Sequence, residues 1–422
     1  MEKRTEKPKN FRYFLRKELL AILLLLMIFG YAGINLATNY KSYANSISEG
    51  YKEVLRGEST IAESIAAFEN VLTEESVERM KFIELYSFEH VLLGKEEIKN
   101  FSYLKDKSGY LHYASFYRDY DDSMFEMSLR VKRLQDAVEE KGTKVIFVIP
   151  PAKGSNVNGE FSKGLPLNDP YRNVNELMFW LNRLGVSTLN YAEYMPNREL
   201  TFEKVFFKTD HHWTVDAAFY ATKVLVDKMN ESGGIPLNGE EYLARDCFTR
   251  VVYKNAMFGS MGRGAGANFA GVEDYVAYHP NREGHFRKES IREDGRTEIT
   301  EGGYYDTLLD LSVFDKGNLY RNQVYSFYMN AIRPYDHVVN LDNPDGIKVL
   351  LVRDSYFAPV MAFLAPMTGQ IDSIWSLEDD ETLSVENLLA SVDYDYVIIE
   401  VYPYNIQENA FQFFIESQDA AQ

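Results

Sequence analysis

Three short apolar runs constrain the fold of this chain more than any other feature. They are Val145 to Ile149, Val349 to Val352, and Tyr396 to Val401, the last interrupted only by Glu400. A strand with one wet face alternates apolar and polar residues, so runs without alternation must be buried on both faces. Between the runs lie segments of helical period. Met124, Met127, Val131, Leu134 and Val138 form one stripe after a possible N-cap at Ser123, and Gly142 stops it. Asp169-Pro170 opens a second helix through Trp180 and Leu184, and Val186 to Leu189 and Ile371 to Trp375 read as further short strands. Alternating strand and helix predicts a mostly parallel sheet with helices on both faces, an α/β architecture. Such a sheet binds its ligand at the carboxyl ends of its strands. By that rule Lys153, Ser355 and Tyr402 to Asn405 share one edge.

The stretch Val205 to Ala217, VFFKTDHHWTVDA, carries the most chemistry. Read as the exit of a strand, it puts Asp210 and His212 on one side and His211 on the other, because extended residues i and i+2 face the same way. A carboxylate beside an imidazole fixes the tautomer and stabilises the imidazolium that forms when the ring takes a proton from a nucleophile. Ser355 is the candidate nucleophile: it follows the buried strand Val349 to Val352 at a sharp turn, ahead of the helical run Ala358 to Phe363. Backbone donors at that turn can receive an oxyanion. Thr214 caps a helix to about Met229. His211 is read as a supporting residue, and Trp213 as packing beneath the site.

The Gly-rich stretch Gly259 to Gly271, GSMGRGAGANFAG, lacks the GK[ST] ending of a phosphate loop. It is read as a close-approach or mobile loop with Arg263 as a substrate contact, and the charged insert of about 255–300 as long loops. Lys153, Arg263, Tyr356, Tyr402, Tyr404 and Asn405 are the candidate substrate-binding residues. A metal at His211 and His212 is disfavoured because adjacent side chains on a strand diverge and no second ligand cluster is spaced to help. No cofactor is expected.

Residues 1–18 carry seven basic against three acidic side chains, and Leu19 to Tyr40 carry no charge. As a helix, that uncharged stretch spans roughly 33 Å, enough to cross a bilayer. No A-x-A cleavage site follows, which favours an uncleaved anchor over a removed signal peptide. Basic residues before the span place the N-terminus in the cytoplasm and the rest outside. The whole chain has a net charge of −18, so the portion after residue 18 carries −22, which argues against binding nucleic acid or anionic lipid headgroups through bulk charge. Cys247 is the only cysteine, so no intrachain disulfide or Cys-based metal site exists. Residues 41–102 are expected to form a helical stalk, in which Thr73 can cap a helix, and 103–422 the catalytic body.

The segment Phe206 to Thr214, FFKTDHHWT, resembles the signature of the DHHW protein family, SGNH-hydrolase-like relatives of the alginate O-acetylation proteins. Similar too are the order of acid, base and then serine about 140 residues later, the Ile149-Pro-Pro-Ala-Lys153 loop, the N-terminal anchor and Gly259-Ser-Met-Gly-Arg263. The resemblance implies a three-layer α/β/α SGNH-like fold, with Asp210, His212 and Ser355 matching the family's catalytic residues. It also implies acetyl transfer onto an exported polysaccharide, the acetyl group arriving through a membrane-bound O-acyltransferase of the MBOAT type. Arg353-Asp354-Ser355 departs from the pattern, lacking the glycine usual before Asp-Ser. A carbohydrate acetyl esterase and a non-catalytic polysaccharide-binding partner are the alternatives.

Overall fold

A computed structural model of the chain describes residues 11–113, 123–154, 161, 170–292, 295–315, 317–329, 333–375, 384–406, 410–411 and 413–414. It divides into two units, Met1–Tyr86 and Ser87–Gln422. The compact body thus takes in Ser87 onward, ahead of the boundary expected at 103.

In the first unit a 46-residue helix α1 (Phe11–Arg56) continues past the apolar stretch without a break, followed by α2 (Ile61–Glu74) and the start of α3 (Arg79–Leu92). The cap of α2 is Thr60. Its hydroxyl accepts from Glu63 N at 3.2 Å, and the Glu63 carboxylate accepts from Thr60 N at 2.7 Å, a reciprocal capping box. Thr73, expected to begin a helix, instead sits in the last turn of α2 and donates to Glu69 O at 2.9 Å. Both residues offer the same hydroxyl, but only Thr60 has a carboxylate three positions on to complete the box.

The second unit is built on an eight-stranded mixed sheet. Its strands are β1 (Lys144–Ile149), β2 (Ser187–Asn190), β3 (His285–Ile291), β4 (Thr297–Gly303), β5 (Tyr335–Asn340), β6 (Lys348–Arg353), β7 (Gln370–Trp375) and β8 (Tyr396–Glu400), in the order β2-β1-β8-β6-β7-β5-β3-β4. The five strands from β2 to β7 pair in parallel; β5, β3 and β4 add antiparallel pairings. Period-two alternation sends each apolar run into two cores. Ile146, Val148, Val349, Leu351 and Ile398 join one core with the helices α6 (Val215–Glu231) and α7 (Ala358–Leu364). Phe147, Ile149, Leu350, Val352 and Ile399 join the other with α4 (Met124–Glu139) and α5 (Tyr171–Arg183). This is the expected three-layer α/β/α arrangement.

Two local expectations change. Ser123 has no capping hydrogen bond at the start of α4, and Asp169, the expected cap of α5, lies outside the described residues. The insert of 255–300 is not loop: it holds two short helices, Ser260–Ala265 and Ala267–Ala270, then a strand Glu273–Pro280 paired with Phe248–Met257, and β3. Its charges mislead because a charged residue can be taken into the interior of a strand. Lys288 and Ser290 of β3 are buried, while Arg287 is exposed beside them.

Candidate active site

The DHHW stretch is a tight loop, not the end of a strand. An isolated bridge pairs Phe206 with Trp213, Thr214 N donates to Val205 O at 2.7 Å, and Phe207 N donates to His212 O at 3.3 Å. Within this fold-back, Asp210 Oδ1 accepts from His212 N at 3.1 Å and from the His212 ring at Nδ1, 2.6 Å. The other ring nitrogen, Nε2, lies 2.7 Å from Ser355 Oγ. The three side chains form one unbroken relay, with Asp210 and His212 buried and Ser355 half-buried.

Because the backbone is not extended, His211 does not face away. Its ring centroid lies 3.8 Å from that of His212 and its Nδ1 3.4 Å from Ser260 Oγ. Burial first, then the neighbouring His212, holds its imidazole well below the ordinary range, so it is neutral near pH 7. Burial opposes ionisation of Asp210, yet His212, His211 and the amide of Ser260 outweigh it and hold this carboxyl well below the usual range. Donor atoms of Asp210, His211 and His212 come within 4.8 Å of one another. In this arrangement both nitrogens of His212 are committed to hydrogen bonds, which suits a proton relay rather than a metal set.

Residues from other segments hold the loop. Lys153 Nζ, fully buried, donates to the carbonyls of Lys208 (2.9 Å) and Asp210 (2.8 Å). It buttresses the loop from behind and does not face an open substrate site, as had been expected. Burial pushes its amine down to about 7, against the pull of Glu273 and Asp210. Glu273 accepts from Lys208 N and Thr209 N at 2.9 and 2.8 Å. The glycine-rich stretch supplies the remaining support. Ser260 N donates to Asp210 Oδ2 at 2.6 Å, Gly259 N to Thr209 Oγ1 at 2.9 Å, and Gly262 N to Thr209 O at 2.9 Å. A Cβ on Gly259 would lie 2.3 Å from Asp210 Cβ, so only glycine permits this approach. The stretch is a fixed backing for the acid, not a mobile loop.

Ser355 begins a single turn of 3-10 helix, Ser355–Phe357, between β6 and α7. Asp354 takes over the organising role that a preceding glycine would not perform. Its Oδ1 accepts from Tyr356 N at 3.0 Å and its Oδ2 from Tyr402 N at 2.7 Å and Asn405 Nδ2 at 3.1 Å. Its own amide donates to Glu400 Oε2 at 2.9 Å. The amide of Ser355 takes no part in these bonds. Burial, then the Asp354 charge, raises the Glu400 carboxyl well above its usual range, which favours its neutral form. That explains how an acid ends an apolar strand.

The other candidate contacts divide. Asn405 is tied to Asp354, and Tyr356 and Tyr402 are buried and stacked at 4.6 Å, so these three shape the nucleophile turn. Tyr356 Oη donates to the carbonyl of His211. Tyr404 is half-buried, 5.5 Å from the Tyr402 ring. Trp213, fully buried, donates from Nε1 to Tyr356 O at 3.0 Å and so locks the loop to the turn. Tyr325, from a region the sequence left unmarked, stacks on His212 with centroids 3.7 Å apart. Arg263 donates to Phe258 O and Asn322 O at 3.3 and 3.1 Å. With Ser260, Gln323 and Ser326 it lines a cavity of about 160 Å³ that reaches Asp210 and His212.

A doubly covered, mixed sheet with a strand-to-turn serine meeting a histidine and an aspartate defines an SGNH-hydrolase-like α/β protein. Residues 108–267 match the family described as SGNH hydrolase-like domain, acetyltransferase AlgX. That stretch contains Asp210 and His212 but stops short of Ser355. Among solved structures, PatB1 of Bacillus cereus is similar at 16% identity and a TM-score of 0.59, covering 74% of this chain and 99% of that one. A DHHW family protein from Eubacterium siraeum is similar at 15% identity and a TM-score of 0.54, covering 73% and 92%. The resemblance to DHHW and SGNH-hydrolase-like acetylation proteins expected from the sequence is therefore borne out, with the structural likenesses speaking for the fold. No curated protein matches the chain.

Proposed function

We propose that this chain is a membrane-anchored, extracytoplasmic O-acetyltransferase that modifies an exported or cell-wall polysaccharide through an acyl-Ser355 intermediate. The observation that carries the reading is the relay Asp210 Oδ1 to His212 Nδ1 (2.6 Å) and His212 Nε2 to Ser355 Oγ (2.7 Å). In the first half-reaction His212 Nε2 takes the Ser355 proton as Oγ attacks the acyl carbonyl; the imidazolium then returns that proton to the departing donor group. In the second, the same nitrogen takes the proton of a sugar hydroxyl as its oxygen attacks the acyl carbonyl, and returns that proton to Ser355 Oγ as the acyl–Oγ bond breaks. Asp210 stays ionised and steadies the imidazolium. The acetyl donor on this reading is a membrane-bound O-acyltransferase.

The anchor reading draws support from α1, which from Glu18 is long and apolar enough to cross a bilayer. Tyr31, Asn35 and Asn39 of that helix bond to residues 75–77. A leader destined for removal has no use for such contacts. The basic tail puts its N-terminus in the cytoplasm.

The test uses full-length protein in detergent with a chromogenic acetyl ester, then oligosaccharide acceptors followed by mass spectrometry. One structure of PatB1 is described with a sulfonyl adduct, which makes a sulfonyl fluoride a fitting probe of Ser355. Acetylated oligosaccharide formed by wild type, and by neither Ser355→Ala nor His212→Ala, supports transfer. Acetate release alone identifies an esterase. Neither ester turnover nor labelling of Ser355 would overturn the catalytic reading in favour of a binding role.

A further inference from the structure

In its own plane His212 is held by Asp210 at Nδ1 and by Ser355 at Nε2, at 2.6 and 2.7 Å. Its two faces are covered as well. The Tyr325 ring lies 3.7 Å away, centroid to centroid, at an interplanar angle of 17°, and the His211 ring lies 3.8 Å away at 36°. One face of an imidazole has no room for two partners at such separations, so His212 is sandwiched between them. Tyr325 comes from a short 3-10 turn, Val324–Phe327, and is 6% exposed, as buried as His212 at 5%. Its hydroxyl donates to Tyr356 O at 3.1 Å, the same carbonyl that accepts from Trp213 Nε1 at 3.0 Å. Trp213 follows His212 in the chain, and Tyr356 follows Ser355. These two bonds therefore join the base, the nucleophile turn and the covering ring at one point.

The two covering rings differ in what they offer. A phenol ring carries a quadrupole whose negative side is its face, and that face attracts a cation within about 6 Å. With its hydroxyl spent on Tyr356 O, the face is what Tyr325 presents to His212. His211 is held neutral near pH 7 by burial and by His212 itself, so it brings no like charge to the opposite side. A neutral imidazole draws little from a ring face. The imidazolium formed at each proton transfer draws the full attraction, in surroundings with little water to weaken it. An interaction that grows only as charge develops lowers the barrier instead of tightening substrate binding. Resting on the acyl-transfer reading above, we infer that Tyr325 is a positioning residue whose ring face stabilises the His212 imidazolium in both half-reactions. It acts through His212 and needs no contact with the substrate.

The experiment uses the full chain in detergent and reads kcat and KM for the chromogenic acetyl ester, together with the rate at which a sulfonyl fluoride labels Ser355. Tyr325→Leu, which removes the face, is expected to lower kcat about 30-fold with KM within about twofold of wild type. Tyr325→Phe keeps the face and should stay within about threefold in kcat. Mono-, di- and trifluorinated phenylalanines placed at 325 keep the ring's shape while progressively withdrawing its negative face. Across that series kcat should fall stepwise, to about tenfold below Tyr325→Phe for the trifluorinated ring. The labelling rate should fall in parallel, because labelling too requires His212 to take the Ser355 proton. A flat series would overturn the inference, since a ring that only fills space tolerates fluorine. Equal losses in Tyr325→Phe and Tyr325→Leu would overturn it as well, assigning the effect to the hydroxyl. The fluorinated series decides the matter even where Tyr325→Leu does not fold. A flat series alongside turnover that vanishes in Ser355→Ala and His212→Ala would remove the role of Tyr325 and spare the proposed function. Neither turnover nor labelling in wild type would overturn both.

Discussion

Two buried acid–histidine pairs lie on neighbouring segments of the body, and only one is proposed to do chemistry. Asp210 meets His212 at 2.6 Å; Asp106 meets His112 at 2.8 Å, and all four side chains are buried. Each acid also accepts a backbone amide from its own turn: His212 N to Asp210, and Tyr110 N to Asp106. The difference is the remaining ring nitrogen. His212 Nε2 reaches Ser355, delivered from another strand of the sheet, whereas His112 Nδ1 is buried with no hydrogen-bond partner among the described residues. The strand Leu111–Tyr113 instead braces the first pair, with Leu111 N donating to Lys208 O at 2.8 Å. An acid–base pair is thus a structural tie until a third element brings it a nucleophile.

The comparison breaks most visibly at the nucleophile. Ser355→Ala should lower acetyl-ester turnover by about 10⁴-fold or more with an unchanged melting temperature. Comparable turnover in the variant would mean that the two pairs do not differ in the way argued. Next come the matched substitutions of the acids. Asp210→Asn should cost about 10³- to 10⁴-fold in kcat. Asp106→Asn should leave kcat within tenfold of wild type but cost about 1–3 kcal/mol in chemical denaturation, the penalty for disturbing a buried hydrogen-bonded group. Equal kinetic losses in the two variants would assign both pairs to the reaction.

A third substitution tests whether the glycine-rich stretch is a backing. Gly259→Ala, whose Cβ would press on Asp210, should lower kcat about 100-fold through displacement of the acid. Steady-state kinetics beside circular dichroism would show whether the fold survives. The smallest effect is the pH dependence of the second pair. Burial, its largest cause, holds His112 below its ordinary value, so folding keeps it neutral where the unfolded chain would protonate it. Its stabilising contribution is full above about pH 6.5 and is lost as pH falls from there toward the folded value, at up to about 1.4 kcal/mol per pH unit. Denaturation curves from pH 7.5 to 5 should show this decline, and His112→Gln should flatten it.

Much of the scaffold was legible because burial leaves a periodic trace. The runs at β1, β6 and β8, the stripe of α4 and the cap at Thr214, whose hydroxyl accepts from Ala217 N at 3.2 Å, all follow from local pattern. Composition was a poorer guide in the insert. Charged residues there run along paired strands, and glycine marked close packing on Asp210. The helical cap at Thr60 was missed in favour of Thr73, although the Glu three residues on was visible in the sequence.

What the sequence by itself determined is the inventory: buried strands, an acid and a base two residues apart, a serine after an apolar run, and an uncharged stretch long enough to span a bilayer. Their assembly belonged to tertiary structure. Ser355 and His212 are 143 residues apart and meet only because β6 lies within the sheet while the DHHW loop is held over its carboxyl end by Lys153, Glu273 and Ser260. Whether His211 turned toward the site or away depended on the fold-back between Phe206 and Trp213, a pairing that no local periodicity encodes. Local pattern specifies which face of an element is buried. The partner that buries it is chosen by long-range packing, and that choice made one histidine–acid pair a relay and left the other a tie.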